Sequence, residues 1–177
     1  MAEVTNTTPW LHRALFVLIA LVVILFQLLP LETTPRRWAG PDLIVAVALA
    51  WVVRRPATVP VLLLAGVFLL ADMLFQRPPG LWAALMVAAC EWLRGQTASL
   101  RAQGFATEWL SVALALTGIT IINRVVLALT VSDLAPLSLT VIQLLMTLAI
   151  YPLVVLVSHF VFGIRRGRAG ERSGGLA

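Results

Sequence analysis

Residues 59–80 read VPVLLLAGVFLLADMLFQRPPG, an apolar run from Val59 to Phe75 with Asp72 as its one charge, closed by Gln76-Arg77-Pro78-Pro79-Gly80. A hydrocarbon layer of about 30 Å is crossed by roughly 20 helical residues, and this run comes close to that. Two prolines and a glycine cannot continue a helix, so the chain turns back in a tight hairpin. A greasy helix followed by a sharp reversal is the unit that repeats outward from here in both directions.

Toward the N-terminus, Ala14–Leu31 follows His12-Arg13 and is long enough to span. Gln27-Leu28-Leu29-Pro30-Leu31-Glu32 offers no small-residue cleavage site, so the run reads as a retained helix rather than a secretory signal. Asp42–Val53 is short, bracketed by Pro41 and Arg54-Arg55-Pro56; Trp38 and the arginine pair extend it through interfacial anchoring and snorkelling. Toward the C-terminus, Leu81–Leu93 is another short run, ending near Glu91 and Arg94. Gly95–Thr107 is the longest connection and reads as a polar loop. Glu108-Trp109 opens a fifth run that reaches about Val131, and Ser132-Asp133-Leu134-Ala135-Pro136 turns into a sixth with proline in its first turn. Tyr151-Pro152 lies near the middle of that last helix, where proline should kink it.

The expected fold is an all-α integral membrane protein, a six-transmembrane-helix bundle with spans near 14–31, 38–55, 57–75, 80–94, 108–131 and 136–163. Residues 1–13 form an N-terminal tail, 14–164 the membrane domain, and 165–177 a basic Gly/Ser-rich tail expected to be disordered. Composition agrees. The 177 residues are 60% hydrophobic and 12% charged, with mean hydropathy +0.97, whereas a soluble domain carries about 25% charged residues.

Thirteen arginines and no lysine against eight acids give a net charge of +5. They fall between apolar runs, the pattern of topology signals; a nucleic-acid surface would need a basic face on a soluble scaffold. With the N-terminus inside, cytoplasmic segments hold nine arginines and the opposite loops three, which places both termini in the cytoplasm. Cys90 is the single cysteine, so no internal disulfide forms.

Polar residues inside the spans are where function is sought. A central Asp or Arg costs roughly 2.5–3.5 kcal/mol on insertion, so Asp72 and Asn123-Arg124 should face protein. Helical rise places both charges in the outer leaflet, with Gln27, Asp42 and Gln143 at a similar depth. One reading of this layer is an Asp72–Arg124 ion pair in a hydrogen-bond network that fixes helix packing; another is a pocket opening outward for a ligand or partner. Ala46-x-x-x-Ala50 and Ala84-x-x-x-Ala88 are spaced for close helix contact and read as interior packing. Enzymatic chemistry has little to work with: no lysine, no paired acids at catalytic spacing, and His12 and His159 far apart in sequence. No catalytic residue, metal or cofactor is expected.

The order of residues in the polar layer and hairpins carries a resemblance. Phe26-Gln27-Leu28-Leu29-Pro30, then Pro41-Asp42-Leu43, Trp51, Arg55-Pro56, Gly66 followed six residues later by Asp72, and Pro79-Gly80-Leu81-Trp82 resemble the rod shape-determining protein MreD over about residues 15–95. Tyr151-Pro152 is similar to the aromatic-proline step in that family's last helix. The resemblance implies structural roles for Pro30, Pro41, Trp51, Pro56, Gly66, Gly80 and Pro152. It further implies a non-catalytic scaffold of the bacterial inner membrane that binds MreC and, through it, MreB filaments and the RodA and PBP2 peptidoglycan synthases, with membrane lipid around it and no nucleic acid. The family's fold is similar to the substrate-binding subunit of energy-coupling factor vitamin transporters, which makes a solute-binding role the alternative. Against that alternative, Ala14 and Ala20 are six residues apart and lack the Ala-x-x-x-Ala pair such subunits commonly carry on the first helix. The expected docking mode for MreC is its transmembrane helix on an apolar face, with its periplasmic segment near Glu32–Gly40 and Gln76–Gly80.

Overall fold

A computed structural model describes residues 8–29, 39–130 and 136–161. Over these residues the chain is all-helical: α1 (Thr8–Leu28), α2 (Leu43–Arg54), α3 (Val61–Leu74), α4 (Leu81–Gly95), α5 (Thr97–Ala102), α6 (Phe105–Leu129) and α7 (Leu137–Val161), with a single 3₁₀ turn at Pro56–Thr58. Pro30, residues 31–38 and 131–135, residues 1–7 of the expected tail 1–13, and the whole of the expected tail 165–177 lie outside the described residues; α1 takes in residues 8–13 of the first tail.

Three helices are long and apolar enough to cross a bilayer, over Trp10–Leu28, Phe105–Leu129 and Leu137–Phe160. At 1.5 Å per residue, the 25-residue α6 and α7 each reach about 37 Å. The chain therefore has the makings of a membrane-embedded helical protein. Of the other three expected spans, α2 with 12 residues and α3 with 14 are shorter than the sequence reading made them, while α4 keeps the expected 15; the three reach roughly 18–23 Å each. The reason lies at their ends. Asp42 caps α2, accepting a hydrogen bond from the Val45 N–H at 3.2 Å, so the helix starts at Leu43 and not at Trp38.

Why α2 tolerates its length is visible in its burial. Ten of its twelve residues, including Ala46, Ala48, Ala50 and Trp51, are buried, and it packs against α7, α4 and α1. A helix that is apolar all round belongs in an interior, and its alanines let neighbours approach. Ala46 and Ala50 thus pack as expected, whereas Ala84 and Ala88 are exposed on α4, where Ala83 and Ala89 are buried instead. The outer helix α1 buries a single stripe, Phe16, Ala20 and Ile24, each four residues apart, and Phe16 meets the Trp51 ring at 5.7 Å between centroids.

The α3–α4 hairpin reverses over Gln76–Gly80, with positive φ at Gln76 (53°) and Gly80 (89°). Glycine enters that left-handed region without the Cβ penalty that opposes other residues. Between α4 and α6, the expected polar loop is largely helical: α5 occupies Thr97–Ala102 and α6 begins at Phe105, three residues before Glu108. Pro152 sits inside α7 as expected. Having no N–H, it leaves the carbonyl of Leu148 without its helical donor; the indole N–H of Trp109 on α6 supplies one at 3.0 Å.

Candidate functional site

Polar side chains gather at the two opposite ends of the bundle. At the end where α6 finishes and α7 begins, a cavity of about 330 Å³ opens between α2, α4, α6, α7 and the α3–α4 turn. From the expected outer layer it collects Asp42, Asn123, Arg124 and Gln143. Periodicity explains how. Thr120, Asn123 and Arg124 stand at i, i+3 and i+4 on α6, and Thr140, Gln143 and Thr147 at i, i+3 and i+7 on α7; such spacings share one helical face. The two polar stripes face each other, and the Arg124 Nη1 donates to Thr140 Oγ1 at 2.6 Å. Thr147 Oγ1 accepts from the Asp42 N–H at 2.9 Å and donates to the Gln143 carbonyl, which ties the start of α2 to α7.

Two members of the expected layer stand elsewhere. Gln27 is half-buried on α1, outside the cavity lining. Asp72 is fully buried but does not pair with Arg124. Its Oδ2 accepts from the N–H groups of Gly80 and Ala83, each at 3.1 Å. The expected ion pair is thus replaced by a helix cap: the hairpin returns the start of α4 to the last turn of α3, and the unsatisfied N–H groups of a helix start are ready partners for a carboxylate. The Arg77 N–H donating to the Asp72 carbonyl at 3.0 Å closes the same turn.

At the opposite end is a cluster the sequence reading did not assemble. Arg54, the last residue of α2, grips Glu108 of α6 through Nε–Oε1 at 3.1 Å and Nη2–Oε2 at 3.3 Å, and the Tyr151 hydroxyl of α7 donates to Oε1 at 3.0 Å. Glu108 is 0% exposed and Arg54 8%. One turn away, the Trp51 indole N–H donates to Ser158 Oγ at 3.1 Å. The sequence reading gives Arg54 as a topology signal and snorkelling anchor and Glu108 as a helix start, with no pairing between them. Tyr151 stands in the sequence reading only as half of the Tyr151-Pro152 step, with no polar partner expected for it.

No family model, curated protein or solved structure matches the chain.

The chemistry of the two ends differs. The Arg54–Glu108–Tyr151 cluster is saturated by short bonds between three helices and acts as a clasp. The cavity presents guanidinium, amide and indole groups around an apolar floor of residues such as Leu81, Leu116 and Leu144, a mixture of polar and apolar groups of the kind found in small-molecule sites. Among the described residues no group of three His, Cys, Asp or Glu could hold a metal ion. His159 instead meets Phe160 edge-on at 5.1 Å.

Proposed function

We propose that this chain is a non-catalytic, six-crossing scaffold of the bacterial inner membrane, similar to MreD, with both termini in the cytoplasm. In this reading it binds MreC through MreC's transmembrane helix and so supports the MreB, RodA and PBP2 machinery of peptidoglycan synthesis and rod shape. The supporting observation is that several residues carrying the resemblance do structural work in the helix bundle. Asp72 and Gly80 are joined by a hydrogen bond at 3.1 Å, Trp51 is fully buried, and the carbonyl freed by Pro152 is met by Trp109. A motif made of caps, turns and packing residues suits a body whose work is to be held by others.

The short helices add a reason for a companion. A hairpin of about 21–23 Å arms, α3 and α4, under-reaches a hydrocarbon layer of about 30 Å, and such mismatch favours association with another helix. Large apolar side chains, among them Leu62, Leu69 and Met73, stand exposed on α3.

The cavity of about 330 Å³ favours one rival: a solute-binding subunit with an outward-facing pocket, as in vitamin transporters. Small-molecule pockets begin at about 300 Å³, so the volume sits at the lower edge. Co-expression of the tagged chain with MreC, solubilised in mild detergent, separates the two readings. Stoichiometric capture of MreC is expected; failure to capture it, with micromolar vitamin binding by calorimetry, would establish the rival.

A further inference from the structure

The cavity's lining is unevenly supplied with hydrogen-bond donors. Among the described residues, Arg77 from the α3–α4 turn, Arg124 from α6 and Asp42 at the start of α2 line it, with Asp42 within electrostatic reach of Arg77. The Asp42 carboxylate is already engaged in capping α2 through the Val45 N–H. The Trp82 indole N–H lies buried with no partner among the described residues, although Trp82 lines the cavity. Arg77 rests its guanidinium 5.3 Å from the Phe75 ring centroid and among the described residues makes no side-chain hydrogen bond, and the side-chain amides of Asn123 and Gln143 line the same space.

Donors that converge from a turn, from α4, from α6 and from α7 suit an acceptor with oxygens pointing in several directions. A phosphate meets that description better than a planar carboxylate, and guanidinium forks are the side chains best matched to it. The apolar floor below the donors fits the carbon skeleton next to such a group. We infer that this cavity binds the phosphate group of an amphipathic or small phosphorylated molecule, with Arg77, Arg124 and the Trp82 N–H as its principal donors. The group is supplied either by a phospholipid headgroup or by a free phosphorylated solute. This inference does not depend on the scaffold reading and stands or falls without MreC.

The test uses the full-length chain, delipidated in maltoside detergent, with native mass spectrometry and thermal shift as readouts. Three probes are compared: dioctanoyl phosphatidylglycerol, its phosphate-free counterpart dioctanoylglycerol, and glycerol 3-phosphate. The phosphatidylglycerol should bind at least about tenfold tighter than dioctanoylglycerol, the factor that one charge-assisted hydrogen bond supplies. Arg77→Gln, on an exposed turn, should lose about tenfold in that affinity. Gln143→Leu, on a different helix, gives a second variant whose loss serves if Arg77→Gln does not fold. Tight binding of glycerol 3-phosphate as well identifies a free solute as the source, and its failure to bind identifies the lipid headgroup; both support a phosphate site. Equal affinity for dioctanoylglycerol, or wild-type affinity for phosphatidylglycerol in every variant that folds, overturns it.

Discussion

Replacing Glu108 with glutamine removes one charge from the Arg54–Glu108–Tyr151 clasp while keeping its shape. In the native chain two Arg54 nitrogens and one Tyr151 hydroxyl converge on the two carboxylate oxygens within 3.0–3.3 Å. A glutamine retains one oxygen for these three donors and turns its own NH₂ toward Arg54, so at least one bond is lost and the guanidinium stays buried without a counter-charge. Breaking a buried pair from one side typically costs about 3–5 kcal/mol, and Glu108 at 0% exposure with Arg54 at 8% meets the conditions for that range. Tyr151→Phe removes a single bond to a charged acceptor and should cost about 1.5–3 kcal/mol. Replacing both Arg54 and Glu108 with leucine removes both charges and should restore much of the loss, since a buried pair is often no more stable than its apolar replacement. Equilibrium unfolding in mixed micelles of SDS and a maltoside reads the native chain, these three variants and the two single leucine variants on one scale. Additive losses for Arg54→Leu and Glu108→Leu, with no coupling in the double-mutant cycle, would refute the clasp.

Asp72→Ala deprives the start of α4 of the acceptor for two N–H groups and should destabilise by about 0.5–2 kcal/mol, with Asp72→Asn costing less because it keeps an oxygen. Since Asp72 and Arg124 hold different partners, Asp72→Asn and Arg124→Leu should add within about 0.5 kcal/mol; coupling well above that in the same unfolding assay would reinstate the ion pair. Gly80→Ala places a side chain at φ 89°, where a nearest neighbour 3.9 Å from the new Cβ leaves room, so its loss of about 1–2 kcal/mol is backbone strain alone. Trp109→Phe orphans the Leu148 carbonyl and should cost about 1–3 kcal/mol. In a Pro152→Ala background the restored N–H takes that carbonyl, and the same tryptophan change should then cost markedly less.

What could be read in the sequence was whatever local chemistry determines. Proline and glycine at 78–80 fixed the hairpin and hydropathy located α1, α6 and α7, whereas Asp42 was placed inside a span that begins at Trp38 and its capping role was missed. The cavity was half legible. Asp42, Asn123, Arg124 and Gln143 stood out as intramembrane polar residues, but Thr120, Thr140 and Thr147, at helical spacing from them, would have completed both stripes. Arg77 was counted as a loop charge because nothing local tells that the hairpin folds over the start of α2. The Asp72–Arg124 pair failed for a related reason. Depth along a helix axis places two residues in one layer but says nothing about azimuth, and the two N–H donors of α4 lie eight and eleven residues downstream of Asp72. Arg54–Glu108 spans 54 residues, a separation at which only the packing of α2 against its neighbours decides who meets whom.

Cysteine labelling measures most directly whether the cavity end faces the exterior and the clasp end the cytoplasm. The native Cys90 is buried and gives little background. Gln76→Cys, at the cavity end, and Ser99→Cys, on α5, both replace exposed residues. In intact bacteria a membrane-impermeant maleimide should label the first and spare the second, with both labelled once the membrane is opened. Labelling of Ser99→Cys from outside, or protection of Gln76→Cys until lysis, would contradict the six-crossing arrangement.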